Sequence, residues 1–207
     1  MEILNYTEEH KNFRERLRTF LEKEVTPHAD QWEQDKIVPK TVWKKMGQGG
    51  FLCTDVAAEY GGMGGDFLYS LIVAEEMIRT RQSGLATPLH SDIVVPYISS
   101  FGSEEIKQNY LPGCVAGDIV TAVAMTEPGA GSDRAGMQTA AVDEGEEVVI
   151  DGSKTFISNG LNADLVVVAA RDPAVENTYE ALSLYVIESG TAGFTTGRHL
   201  EKMGMWS

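Results

Sequence analysis

The spacing of apolar residues changes once along the chain. From Thr7 to about Pro112 they recur at helical intervals, beginning with Phe13, Leu17, Phe20, Leu21 and Val25 on one face. Thr7 is placed to cap that helix, with Glu8 and Glu9 near its positive end, and Pro27 interrupts or bends it. A second helix is predicted to open with Pro39 in its first turn, bury Val42 and Met46, and stop at Gly47, Gly49 and Gly50. Beyond the flexible stretch Gly61-Gly62-Met63-Gly64-Gly65, a third helix over Phe67 to Arg79 would carry Leu68, Leu71, Ile72, Ala74 and Ile78 as its apolar stripe. A fourth covers Asp92 to Phe101, bent near Pro96 and ended by Gly102, and Ser103 then caps a short helix through about Tyr110.

After the break from Pro112-Gly113 to Gly117-Asp118, the pattern turns to short runs rich in Val, Ile, Thr and Phe between turn residues. Strands are predicted over Ile119 to Met125, Gln138 to Val142, Glu147 to Ile150, Lys154 to Ile157, Leu165 to Ala169 and Leu182 to Ile187. Asp151-Gly152 reads as a hairpin turn. Helices first and strands afterwards place the chain in the α+β class, with a boundary near residue 117 and two domains, 1–117 and 118–207. The sequence shows no closing element after Lys202-Met203-Gly204-Met205-Trp206-Ser207, so the β domain is expected to be truncated.

Composition adds exclusions. Apolar residues at 43% and charged residues at 23% fit folded domains and rule out the low-hydrophobicity signature of disorder. A formal net charge of -14 argues against nucleic acid or an anionic membrane as main partner, since both repel an acidic surface. The longest apolar runs, such as Leu165 to Ala170, are too short to span a bilayer. Cys53 and Cys114 stand apart, without a metal-ligand pattern, and are expected to be free thiols. A short, acidic, polar N-terminus lacks the features of a secretory signal or mitochondrial presequence, which suggests a bacterial cytoplasmic protein.

Two stretches could carry chemistry. The first, Ala124-Met125-Thr126-Glu127-Pro128-Gly129-Ala130-Gly131-Ser132-Asp133, leaves a predicted strand and enters a loop that exposes N–H groups and hydroxyls together. Such donors match a pyrophosphate or the polar edge of a flavin ring, although composition alone favours an ordinary Gly-rich connection. Gly129-x-Gly131 lacks the third glycine of a dinucleotide fingerprint and no Gly-Lys-Ser/Thr follows, so neither of those phosphate motifs is present. The second stretch, Gly152-Ser153-Lys154-Thr155-Phe156-Ile157-Ser158-Asn159-Gly160, is a predicted strand running into a turn. Alternation would put Phe156 and Ser158 on one face, an apolar ring beside a hydrogen-bond donor. Taken alone, Phe156 reads as core and Ser158 as a turn residue.

Three other features read as structural. Glu75 and Glu76 belong to a solvated helix face, and His90 is expected in a capping or packing role, with a ligand-tunnel lining as the alternative. The acidic run Asp143 to Glu147, containing Gly145, reads as an exposed hairpin turn.

Both candidate stretches resemble the two flavin-binding signatures of the acyl-CoA dehydrogenases, the first as TEPGAGSD and the second as an aromatic residue, Ile, Ser or Thr, then Asn-Gly. Their order and separation agree, and the similarity extends to Tyr60-Gly61-Gly62-Met63-Gly64-Gly65 and to Lys202-Met203-Gly204. Phe-Ile-Ser-Asn-Gly after Gly-Ser-Lys is most similar to the long-chain branch.

The resemblance implies a helical N-terminal domain, an antiparallel, barrel-like middle domain and FAD as cofactor. Val123, Ala124, Met125, Thr126, Gly131 and Ser132 would line the flavin, with Met125 giving backbone contacts, Thr126 a hydroxyl to the pyrimidine edge, and Ser132 sitting where the acyl-CoA substrate approaches. Phe156, Ile157 and Ser158 would pack on the other side, Ser158 donating to N5. The implied reaction is α,β-dehydrogenation of an acyl-CoA thioester to the trans-2-enoyl-CoA, with electrons passed to an electron-transfer flavoprotein. An acyl-CoA oxidase, a flavin monooxygenase and a non-catalytic binding module are the alternatives. No residue of this sequence is offered as catalytic, because the family's base is a Glu on a C-terminal helical domain. A homotetramer is the family expectation, and this chain by itself is expected to bind FAD only weakly.

Overall fold

The computed structural model describes residues 4–205. They divide into two compact units. The first runs to Val120 and takes in the segment from Arg198 onward, and the second covers Thr121–Gly197.

The first unit is helical. Helix α1 (Glu8–Glu24) starts at Thr7, whose hydroxyl accepts from the His10 N–H while the His10 ring returns to the Thr7 N–H, a reciprocal cap closed here by histidine. It buries His10, Phe13, Leu17 and Leu21. A single 3₁₀ turn at Thr26–His28 contains Pro27 and leads into α2 (Ala29–Asp35), so the proline separates two helices. Helix α3 (Lys40–Gln48) has Pro39 as its N-cap and buries Val42, Trp43 and Met46. Helix α4 (Phe67–Arg79) occupies the predicted span, with the Asp66 side chain capping the Leu68 N–H.

The face that α4 buries differs from the predicted stripe. Tyr69, Ile72, Val73, Glu76 and Met77 point inward, and Ile78 is 79% exposed. The rotation follows from Glu76, which is only 2% exposed. The Arg18 guanidinium donates to both of its oxygens at 2.7 and 2.9 Å, and Arg14 donates at 3.0 Å. The reading of Glu76 as a solvated residue is therefore corrected. Two arginines one turn apart on α1 satisfy its carboxylate inside the α1–α4 interface.

A single π-helical stretch, Leu89–Val94, runs into α5 (Val95–Phe101), and α6 (Glu104–Ala116) begins at its Ser103 cap. Helix α6 continues through Pro112-Gly113 and ends at Gly117, in the left-handed region at φ 73°. The predicted break at Pro112 is thus a helix interior. Gly117 also lies so close to α3 that a Cβ there would fall 2.1 Å from the Trp43 carbonyl oxygen, which accounts for glycine at that position. His90 is fully buried, its Nε2 3.1 Å from the Cys114 carbonyl and 3.4 Å from Cys53 Sγ, with Trp43 edge-on to the ring. It serves packing. Cys53 and Cys114 are both buried, and neither is in a disulfide.

The second unit is a five-stranded sheet built on β4 (Leu165–Arg171), whose residues are buried from Leu165 to Ala170. Strand β5 (Leu182–Glu188) lies antiparallel along one edge of β4. On its other edge β1 (Thr121–Ala124) runs parallel, and β2 (Ala140–Asp143) joins at Ala140↔Arg171. Strand β3 (Val148–Asp151) pairs antiparallel with β2. The turn between them is Asp143 to Glu147, as read from the sequence, with Gly145 at φ 95° and its N–H on the Asp143 carboxylate.

Two expectations are corrected here. The sheet is mixed and does not close into a barrel: the continuous apolar run of β4 is buried at its centre, with parallel neighbours on one edge and antiparallel β5 on the other. Lys154 to Ile157 is not a strand of the sheet, and Asp151-Gly152 is not a hairpin turn. Among the described residues no helix is long and apolar enough to cross a membrane.

Candidate functional site

The two candidate stretches meet beside the end of β1. Val123 is half-buried on the strand, and Ala124 is buried in a small-residue core with Ala122, Ala163, Val166 and Val168. Past the strand the Met125 carbonyl accepts from the Lys154 ammonium at 3.1 Å, and the Thr126 carbonyl accepts from the Thr155 N–H at 2.9 Å. Residues 29 positions apart in sequence are thereby set side by side.

Glu127 holds this junction. Its side chain is 5% exposed and accepts from Lys154, itself 10% exposed, at 2.8 Å. It also accepts from the Gln138 N–H at 2.7 Å, from the Thr139 N–H at 2.9 Å and from the Thr139 hydroxyl. Burial by itself would raise the Glu127 pKa, but the bonds from Lys154, Thr139 and Gln138 outweigh it and lower the value to about 2. Thr139 reaches the carboxylate because Gly152 passes close over it. A Cβ at Gly152 would lie 2.4 Å from the Thr139 hydroxyl.

The second stretch then departs from strand geometry. Phe156 takes φ 57° and Asn159 φ 62°, so side-chain alternation is broken at Phe156 and the expectation of one shared face for Phe156 and Ser158 is corrected. Phe156 is 67% exposed, Ser158 is exposed in a turn, and Ile157 turns inward against the small-residue core. The Asn159 amide donates to the Thr121 carbonyl at 3.1 Å, tying the far end of the loop to the start of β1.

In the first loop, Glu127 and Ala130 exchange backbone hydrogen bonds across Pro128-Gly129. Neither Gly129 nor Gly131 has a positive φ, and a Cβ at either would meet nothing within 4 Å. Their lack of a side chain is not required by the chain's own packing, which fits backbone kept open for close approach of a ligand. Ser132 lines an open cleft of about 600 Å³ with Gly131, Asp133, Arg134, Ala135 and Tyr179. The hydroxyls of Thr126, Ser132 and Ser158 make no hydrogen bond to another described group of the chain. Free hydroxyls, an exposed aromatic ring and uncovered glycine backbone are what a planar heterocycle with a polar edge and a phosphate tail would engage, so the residues present fit a flavin nucleotide.

The structure sets Val123 to Thr126 beside the loop that carries Phe156 to Ser158, through bonds from the flanking Lys154, Thr155 and Asn159 and the packing of Ile157, and places Gly131 and Ser132 on an open cleft. Sequence reasoning missed Glu127, Lys154 and Thr139. One of two acids in the first motif and the lone base in the second were the available signal.

Residues 7–118 match the model of the acyl-CoA dehydrogenase N-terminal domain, and residues 122–207 match that of the middle domain. A mouse long-chain specific acyl-CoA dehydrogenase, mitochondrial, is 42% identical over 201 residues, 97% of this chain and 47% of the relative. The crystal structure of an acyl-CoA dehydrogenase from Geobacillus kaustophilus superposes with a TM-score of 0.95 at 49% identity, covering 100% of this chain and 54% of that one. One from Bacillus anthracis, complexed with FAD, gives 0.87 at 32% identity, covering 98% of this chain and 34% of that one. The chain spans about half the length of the curated long-chain relatives it matches. With both domain models matched in order and the two motifs joined in space, the chain belongs to the acyl-CoA dehydrogenase family, of which it holds the N-terminal and middle domains.

Proposed function

We propose that this chain supplies the flavin-holding part of an FAD-dependent acyl-CoA dehydrogenase that converts acyl-CoA thioesters to trans-2-enoyl-CoA. The observation that carries the reading is the junction of the two loops, where Lys154 bonds both Met125 and Glu127 and leaves the Thr126 and Ser158 hydroxyls free. Thr126 would donate to the polar edge of the flavin, Ser158 to its N5 side, and the Phe156 ring would lie against its plane. Ser132, on the open cleft, would sit between cofactor and thioester. When bound, the flavin accepts the β hydrogen as hydride while a base removes the α proton.

Glu127 does not act as that base. Its carboxyl is ionised down to about pH 2, and its oxygens are engaged by Lys154, Thr139 and Gln138. Glu76 is likewise engaged, by Arg14 and Arg18. We place the base outside these 207 residues, on a C-terminal helical domain, and assign a long-chain substrate on the strength of the mouse relative's name. An electron-transfer flavoprotein as electron acceptor and a homo-oligomeric enzyme belong to the same proposal.

Titration of FAD into the full chain, followed by flavin fluorescence, tests the reading. Saturable binding is expected, weakened about five-fold by Thr126→Val or Ser158→Ala, the size of one hydrogen bond. No binding by a chain shown to be folded by circular dichroism would overturn it.

A further inference from the structure

We infer that Glu127 and Lys154 are positioning residues, an ion-pair clamp that holds Phe156 in its left-handed conformation and sets the Thr126 and Ser158 hydroxyls at a fixed separation. This rests on the flavin reading above and assigns a role to two residues that do not themselves face the proposed ligand.

The left-handed region is uncommon for a bulky residue and persists only where the surroundings over-determine it. Burial does not do so at Phe156, whose ring is two-thirds exposed. The restraint comes from the residues on either side. Before Phe156, the Lys154 ammonium binds the Glu127 carboxylate and the Met125 carbonyl, and the Thr155 N–H binds the Thr126 carbonyl. After it, Asn159 is bonded to the Thr121 carbonyl, and the Gly160 N–H closes a turn onto the Ile157 carbonyl at 3.0 Å. The loop is thus pinned to the line of β1 at both ends, and Phe156 is the residue left to project.

Of these anchors, the clamp reaches furthest. Glu127 is fixed from its other side by Thr139 and Gln138, so the position of Lys154 is referred to the start of β2 as well as to the end of β1. Two loops separated by 27 positions are locked by a desolvated pair with good geometry, in which each partner makes further hydrogen bonds. Lys154 would thereby hold the aromatic ring and the two hydroxyls as one rigid face, and the flavin would find its contacts already in place.

The test compares four forms of the full chain: the unmodified protein, Lys154→Met, Lys154→Arg, and Glu127→Gln combined with Lys154→Met. Each is measured for FAD affinity, for the visible absorption spectrum of bound FAD, and separately for thermal midpoint. Lys154→Met is expected to weaken FAD by about tenfold or more, the loss of a charge-assisted contact, and to shift the bound-flavin spectrum, while Lys154→Arg stays within about threefold. The double variant is decisive. Removing both charges leaves neither buried and unpaired, so the thermal midpoint should recover in part, the new amide nitrogen being unable to accept from a backbone N–H, but with the clamp gone FAD affinity should remain as low as in Lys154→Met. Recovery of both affinity and spectrum in the double variant would overturn the inference and leave the flavin reading standing. If the unmodified chain binds no FAD, that reading fails and the clamp's role falls with it.

Discussion

Each of the two units buries a glutamate, and the two are held by the same physics for different ends. Glu76 lies between α1 and α4, bonded by two arginines that come from one helix and are partly exposed. Glu127 lies between loops, bonded by a buried lysine, by the hydroxyl and N–H of Thr139 and by the N–H of Gln138. The first pair closes a helix interface whose geometry the apolar residues Phe13, Leu17, Ile72 and Val73 already fix. The second holds irregular backbone that no strand pairing fixes, next to hydroxyls with no partner of their own. A buried ion pair inside regular structure is thus a packing feature. One that ties two loops together is a candidate for positioning a ligand.

The largest expected difference comes from removing the acids. Glu127→Ala leaves the Lys154 ammonium inside the β unit with the Met125 carbonyl but no counter-charge, strips two N–H groups of their acceptor, and should cost about 4 kcal/mol in chemical denaturation. Glu76→Ala should cost less, about 2 kcal/mol, because Arg14 and Arg18 can turn to water. Equal losses would erase the distinction between the two pairs.

Acid should separate the units next. In the helical unit, burial lowers the His90 pKa to about 4 from 6.5, against the opposing hydrogen bond to Cys114. The unfolded chain binds a proton there below pH 6.5 that the folded chain refuses until about pH 4, so stability present above 6.5 is lost as the pH falls through that window. For Glu127 the ordinary value of 4.5 falls to about 2, and stability present above 4.5 is lost between 4.5 and 2. Amide hydrogen exchange across a pH series, corrected for intrinsic rates, should show the helical unit loosening first and β1, β2 and the loop at Lys154 later.

The smallest effect sharpens the role of strain. Phe156→Gly relieves the left-handed conformation but gives the unfolded chain more freedom, so the folding free energy should change by under about 1 kcal/mol while FAD binding weakens. A clear loss of stability would mean that the ring packs within the chain after all.

Much of this was legible in the sequence, for identifiable reasons. The span of α4 follows from the apolar run after the Gly61 to Gly65 stretch, yet the side it buries did not, because hydropathy counts Glu76 as polar and cannot see two arginines 58 and 62 positions away. Pro112 looked like a stop, but α6 continues past it to an end set by Gly117. Turn chemistry identified Asp143 to Glu147 and misjudged Asp151-Gly152, where glycine serves the close approach to Thr139. The two site motifs were readable as strings of residues. Their junction was not, since it depends on a left-handed Phe156 and on an acid and a base that each look ordinary alone.

The most direct test of the central account is hydrogen exchange of the full chain with and without FAD. Added protection confined to residues 123–132 and 154–160 is the predicted result, since both loops would close on one ligand. Protection of only one loop, or of amides elsewhere in the chain, would contradict a single flavin site built from the two.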